Sequence, residues 1–147
     1  MRFTPAVLSL SVIYMIALAG ALHAKSTQES PKTTSDGVYT DAQAKRGESV
    51  YSQSCASCHG PNLAGLDMAP SLTGAEFNTS WSDQPLDDLF ERVRTTMPAD
   101  GPGSLTREQY IDVVAFLLSK DGFPSGAVEL PADNAMLKQV RFVAQKP

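Results

Sequence analysis

Cys55-Ala56-Ser57-Cys58-His59 decides how the rest of this 147-residue chain is read. Two cysteines three apart, with a histidine directly after them, form the pattern that attaches a c-type haem. Each thiol adds across a vinyl group to give a thioether, and the adjacent imidazole offers a ring nitrogen to the iron. Two intervening residues put both sulfurs on one face of a helical turn. Cys55 and Cys58 are the only cysteines, and the one other histidine is His23 near the N-terminus. A redox-active dithiol expects a preceding strand and a βαβ setting, and no such pattern lies upstream. A tetrahedral zinc site needs four ligands, and the cluster offers three. A structural disulfide would leave His59 without a role.

The N-terminus fits this reading. Arg2 is followed by an uncharged run from Phe3 to Leu22, and Ala19-Gly20-Ala21 matches the small-x-small rule of signal peptidase. Residues 1–24 are expected to be a secretory signal peptide and the protein to be periplasmic, which suits haem attachment outside the cytoplasm. The alternative is an uncleaved membrane anchor. The run is long enough to span a bilayer, but Thr4, Pro5, Ser9, Ser11 and Tyr14 dilute it. Residues 25–38 are polar and aperiodic and are expected to form a disordered leader. Residues 39–122 make one domain, and 123–147 form a C-terminal extension. The whole chain has a net charge of −4, and removing residues 1–24 takes away Arg2 alone among charged residues. That acidic balance argues against nucleic acid and against an anionic membrane surface as partners.

Within the domain the pattern is helical. Thr40 reads as the N-cap of a helix reaching about Ser54, with Gln43 at its third position. Gly47 and Tyr51 share a face of it, and a glycine there permits close approach of another helix. Gly60-Pro61-Asn62 breaks the chain after His59. A second helix is expected from Pro85, with Leu86, Leu89, Phe90 and Val93 at helical spacing; it must stop before Pro98. Thr106-Arg107-Glu108-Gln109 is a capping box that opens a last helix to about Lys120. Tyr110, Val113, Val114, Leu117 and Leu118 form its apolar stripe, and Gly122 ends it. No alternating strand pattern is present, so the fold class is all-α. Pro131-Ala132-Asp133 can start a short helix carrying Met136, Leu137, Val140 and Phe142, which either packs back on the domain or meets a partner.

An iron with one histidine has an open position. The thioether of methionine is the natural sixth ligand and raises the reduction potential. Beyond residue 24 the candidates are Met68, Met97 and Met136. Met68 lies nine residues after His59, in a loop that most simply stays on the histidine side, and Met136 is in the tail. Met97 lies between two helices with Pro98 stiffening the chain beside it, and it is the favoured ligand. A core methionine filling a gap would more often lie on a helical stripe.

At this point the chain resembles the class I (His/Met) bacterial cytochromes c. The resemblance covers about residues 40 to 122. It rests on Gly47 and Tyr51, the Cys55–His59 motif, Ala69-Pro70, Thr96-Met97-Pro98 and the Tyr110–Leu118 helix. It implies three to four helices wrapped around one covalent haem, with the Gly47/Tyr51 pair crossing the last helix. It also implies a hydrogen bond from the second nitrogen of His59 to the Pro70 carbonyl. Trp81 would lie near a propionate or the haem edge, or serve simply as core. More narrowly, Gly47-Glu48-Ser49-Val50-Tyr51, Gly122-Phe123-Pro124 and the acidic Leu130-Pro131 tail are similar to small cytochromes that accompany quinoprotein alcohol dehydrogenases.

The expected function is one-electron transfer between redox proteins, from a dehydrogenase to an oxidase or reductase, rather than catalysis. An electron-transfer subunit of a larger dehydrogenase is a related alternative. A five-coordinate gas-binding cytochrome is another and would make Met97 a core residue. A peroxidase expects a distal histidine or arginine. No distal histidine follows residue 24, and Arg92 and Arg94 read as solvated or propionate-binding.

Overall fold

Thr40 caps the first long helix, its hydroxyl accepting from Gln43 N at 3.1 Å. The computed structural model describes residues 32–144, and the expected signal peptide and the leader up to residue 31 lie outside them. In chain order the elements are β1 (Lys32–Thr33), α1 (Asp41–Ser54), α2 (Ala56–His59), α3 (Gly74–Trp81), α4 (Leu86–Thr96), α5 (Arg107–Lys120), α6 (Asn134–Leu137) and β2 (Val140–Arg141). A short 3-10 turn at Thr34–Asp36 follows β1. The described residues are all-α apart from two-residue strands.

The central packing event is the crossing of α1 and α5. A Cβ on Gly47 would collide with the Asp112 carbonyl oxygen and lie 2.9 Å from Phe116 Cβ. The two backbones therefore touch where any larger residue would hold them apart. One turn on, the Tyr51 and Phe116 rings meet at 5.2 Å between centroids. Across the same crossing Arg46 reaches Asp112 through two bonds of 2.8 and 2.9 Å, and it also pairs with Glu129. Helix α5 is buried on every side from Tyr110 to Leu118, more fully than its single apolar stripe suggested. Its start carries both arms of the Thr106–Gln109 capping box.

Helix α4 begins at Leu86, with Pro85 as the extended residue before it rather than the first helical one. Leu86, Leu89 and Phe90 are buried as the spacing predicted. Helix α3 was not foreseen. Its residues Gly-Ala-Glu-Phe-Asn-Thr-Ser-Trp include few strong helix formers, and its N-terminus is capped from a distance. The Asp121 carboxylate, at the end of α5, accepts from Gly74 N at 2.7 Å and from the Asn78 amide. A carboxylate there satisfies an unpaired N–H and suits the positive end of the helix.

The two ends of the domain correct the expected leader. Residues 32–38 belong to the segment expected to be disordered, yet β1 pairs in parallel with β2, Lys32 against Val140 and Thr33 against Arg141. Thr34 is fully buried, and its hydroxyl accepts from Val143 N at 3.0 Å. A polar composition misled because this segment is held by backbone pairing to the tail, which local sequence does not show. The tail itself packs back on the domain. Gln43 bonds both ways with the Leu130 backbone, Tyr39 donates to Phe123 O at 2.6 Å, and Leu137, Val140 and Phe142 are buried. Phe142 meets Phe77 and Phe123 edge-on, 6.0 and 5.2 Å between centroids.

Candidate functional site

One cleft of about 1090 Å³ collects the sequence-predicted residues: Cys55, Cys58, His59, Pro70, Trp81 and Met97 all line it. It lies among α1, α2, the loop after α2, α3, α4, the Met97–Asp100 stretch and α5. Leu72, Phe77, Leu89, Val93, Val113 and Leu117 supply apolar wall.

Local structure explains how each polar group arrives. Helix α1 ends at Ser54, and Cys55 takes a non-helical conformation that starts the single turn α2. The turn carries Cys58 and His59, and Tyr51 in α1 anchors its exit by donating to Gly60 O at 2.6 Å. His59 is 7% exposed, and its Nδ1 lies 3.0 Å from the Pro70 carbonyl oxygen. A carbonyl can only accept, so Nδ1 carries a proton, and in the neutral ring Nε2 is then the nitrogen with the free lone pair. The Pro70 carbonyl is presented by a tight loop. Gly65 sits at φ +80°, and a Cβ on it would collide with Ala69 O and lie 2.8 Å from Pro70 C. Gly65 N also bonds back to His59 O at 2.9 Å.

The cysteines are unpaired. Burial, with Cys58 beside it, pushes the Cys55 thiol up to about 11. The Cys55 side chain is partly buried at the cleft, and Cys58 is exposed beside it.

Across the cleft, Met97 follows the last residue of α4. Its N–H bonds to Val93 O at 2.9 Å, and its carbonyl accepts from the Tyr110 hydroxyl at 2.7 Å. The other two methionines differ in setting. Met68 also borders the cleft but is 96% exposed, and Met136 is 55% exposed on α6, outside the cleft lining. Trp81 is half-buried and packs on Phe77, 6.4 Å between ring centroids. Of the two arginines on α4, Arg92 lines the cleft. Arg94 is turned to Glu91, and that pairing, with help from Asn134, lowers the Glu91 carboxyl to about 2. The sequence pattern marks Tyr51 and Tyr110 only as packing residues, and their hydroxyl contacts at the site have no local signal.

The donor set fits a covalent haem. Two thiols and an imidazole share one helical turn, and the cleft is slightly larger than the usual small-ligand pocket of about 300–1,000 Å³. Residues 42–117 match the family model described as cytochrome c oxidase, cbb3-type, subunit III. The chain belongs to this cytochrome c family. Cytochrome c-551 of Bacillus subtilis (strain 168) is 31% identical to this cytochrome over 84 residues, which is 57% of this chain and 68% of that protein. Among solved structures, the sulfane dehydrogenase SoxCD from Paracoccus pantotrophus has 25% identity and a TM-score of 0.47. That match covers 59% of this chain and about half, 52%, of the other. As a class I-like cytochrome c, the protein carries a covalently bound c-type haem and transfers electrons with redox partners.

Proposed function

We propose that this cytochrome is a periplasmic electron carrier whose haem iron would take His59 and Met97 as ligands. It takes single electrons from a dehydrogenase, of the quinoprotein class in the narrower resemblance, and passes them to an oxidase or reductase. The reading is carried by one observation: Cys55, Cys58, His59 and Met97 line the same largely apolar cleft. When bound, the haem supplies a reversible one-electron iron couple. Cys55 and Cys58 would hold it through thioethers. His59 donates from Nδ1 to Pro70 O, which fixes the ring orientation and leaves Nε2 to ligate. Met97 would contribute a neutral, soft sulfur, a ligand that favours reduced iron. The apolar wall would shield the haem from water, and Trp81 would lie beside it. The chemistry asks for no proton transfer at the site, and no residue is assigned one. Export is supported by the Cys55–His59 motif, because haem is joined to such motifs outside the cytoplasm.

A second reading is favoured by the description of the matching family model, which names a subunit of an oxidase. In it the same domain is an electron-transfer subunit of a larger assembly. Co-purification with an integral partner from the native membrane supports this reading, and a free domain in the periplasmic fraction supports the carrier.

The test of the site is spectroscopic. The full-length chain, matured in a bacterium that attaches c-haem, is expected to show the weak far-red sulfur-to-iron band when oxidised. Met97→Ala is expected to lose that band, lower the reduction potential and bind carbon monoxide when reduced. Rapid carbon monoxide binding by the unaltered reduced protein would instead establish a five-coordinate gas-binding cytochrome.

A further inference from the structure

The stretch from Met97 to Leu105 joins α4 to α5 and is built largely of small and turn-forming residues: Pro98-Ala99-Asp100-Gly101-Pro102-Gly103-Ser104. Inside it, Gly101 N bonds to Pro98 O at 3.0 Å and Ser104 N to Gly101 O at 3.1 Å. These turns shape the loop but do not fasten it to the helices. The Tyr110 hydroxyl reaches both of its ends. It donates to Met97 O at 2.7 Å and accepts from Leu105 N at 3.4 Å. Tyr110 is 1% exposed, and its backbone is fixed in α5, where its N–H bonds to Thr106 O at 3.0 Å.

We infer that Tyr110 is a positioning residue whose hydroxyl clamps the Met97–Leu105 loop shut and so governs how readily Met97 leaves the iron. The inference rests on Met97 being the sixth ligand. A loop tethered at both ends to a rigid helix offers its side chain at one place. With the tether cut, the Met97 carbonyl loses its partner and the loop is freer to swing outward, its remaining anchors being the Met97 N–H to Val93 O bond and the packing of Leu105 on the core. The aromatic ring itself is packing and would be kept by phenylalanine. The hydroxyl alone is the clamp.

Tyr110→Phe tests this in the haem-loaded full-length chain, with imidazole as the competing ligand for the oxidised iron. The variant is expected to retain the far-red sulfur-to-iron band in the absence of imidazole. Its affinity for imidazole should rise about tenfold, the weight of one net hydrogen bond to a part-buried carbonyl. Tyr39→Phe is the comparison. It deletes another buried tyrosine hydroxyl, the donor to Phe123 O, in a part of the fold that does not line the cleft. That variant is expected to lose thermal stability while binding imidazole like the parent. Unchanged imidazole affinity in Tyr110→Phe overturns the inference. An equal rise in Tyr39→Phe also overturns it, because general loosening would then be the cause. Met97→Ala separates the two levels of argument: if it keeps the far-red band, the ligand assignment fails, whatever Tyr110 does.

Discussion

At Gly65 the backbone φ of +80° and the contact with residues 69–71 coincide, and His59 depends on both. The carbonyl that orients its ring belongs to Pro70, the residue a Gly65 side chain would displace. Gly65→Ala should therefore lengthen the His59–Pro70 bond and make the imidazole a weaker donor to iron. The reduction potential is expected to rise, because a less basic histidine stabilises the oxidised state less. Redox titration checks the sign, and an unchanged potential would mean that the loop yields without moving Pro70. The residues that touch this chemistry were unevenly legible. Cys55, Cys58 and His59 are local in sequence, so their spacing alone carries the meaning. The Pro70 carbonyl and the expected ligand Met97 came with the family resemblance and a process of elimination. The hydroxyls of Tyr51 and Tyr110 were hidden inside apolar periodicity, which ranks a tyrosine by its ring and ignores the oxygen.

The helices are joined by contacts of very different kinds, and substitutions can tell them apart. Gly47→Ala drives a methyl group into the Asp112 carbonyl oxygen, so α1 and α5 must separate. Overpacking of this kind costs about 1–3 kcal/mol, and urea unfolding of the haem-loaded protein is expected to show a loss of that size. The contact between α4 and α6 is polar instead. Glu91 pairs with Arg94 and accepts from Asn134 Nδ2 at 3.0 Å. Its folded pKa is about 2, below the ordinary value near 4.3. A depressed acid contributes stability that is present above its unfolded pKa and lost as pH falls through the folded one. Part of the acid destabilisation between about pH 4.5 and 2 should therefore vanish in Glu91→Gln, as followed by melting temperature against pH. Solvent exposure keeps the effect small. Helices whose own residues cap them, α1 and α5, were legible to within a residue or so. Helix α3 was not, because its cap is Asp121, 47 residues away in the chain.

For the molecule as a whole, the C-terminal segment is part of the domain and reaches toward the cleft wall. Phe142 touches Phe77, and Phe77 touches Trp81, which lines the cleft. Phe142→Ala removes a fully buried ring and is expected to cost about 3–5 kcal/mol. Calorimetry of the haem-loaded protein checks it, and a loss below 1 kcal/mol would mean that the aromatic cluster re-collapses. This wrapping was the least legible level of all, since two-residue strands carry no alternation and their pairing spans more than a hundred residues. It has a topological consequence. With Lys32 beside Val140, the two ends of the domain are neighbours, so a short linker could join them into a ring. The ring could then be cut elsewhere, for instance between the exposed residues Ala127 and Val128, with the same helix contacts available to the rearranged chain. The order in which they are strung, from first to last, is thus separable from the arrangement they adopt, and a circular permutant is a legitimate isomer of this protein.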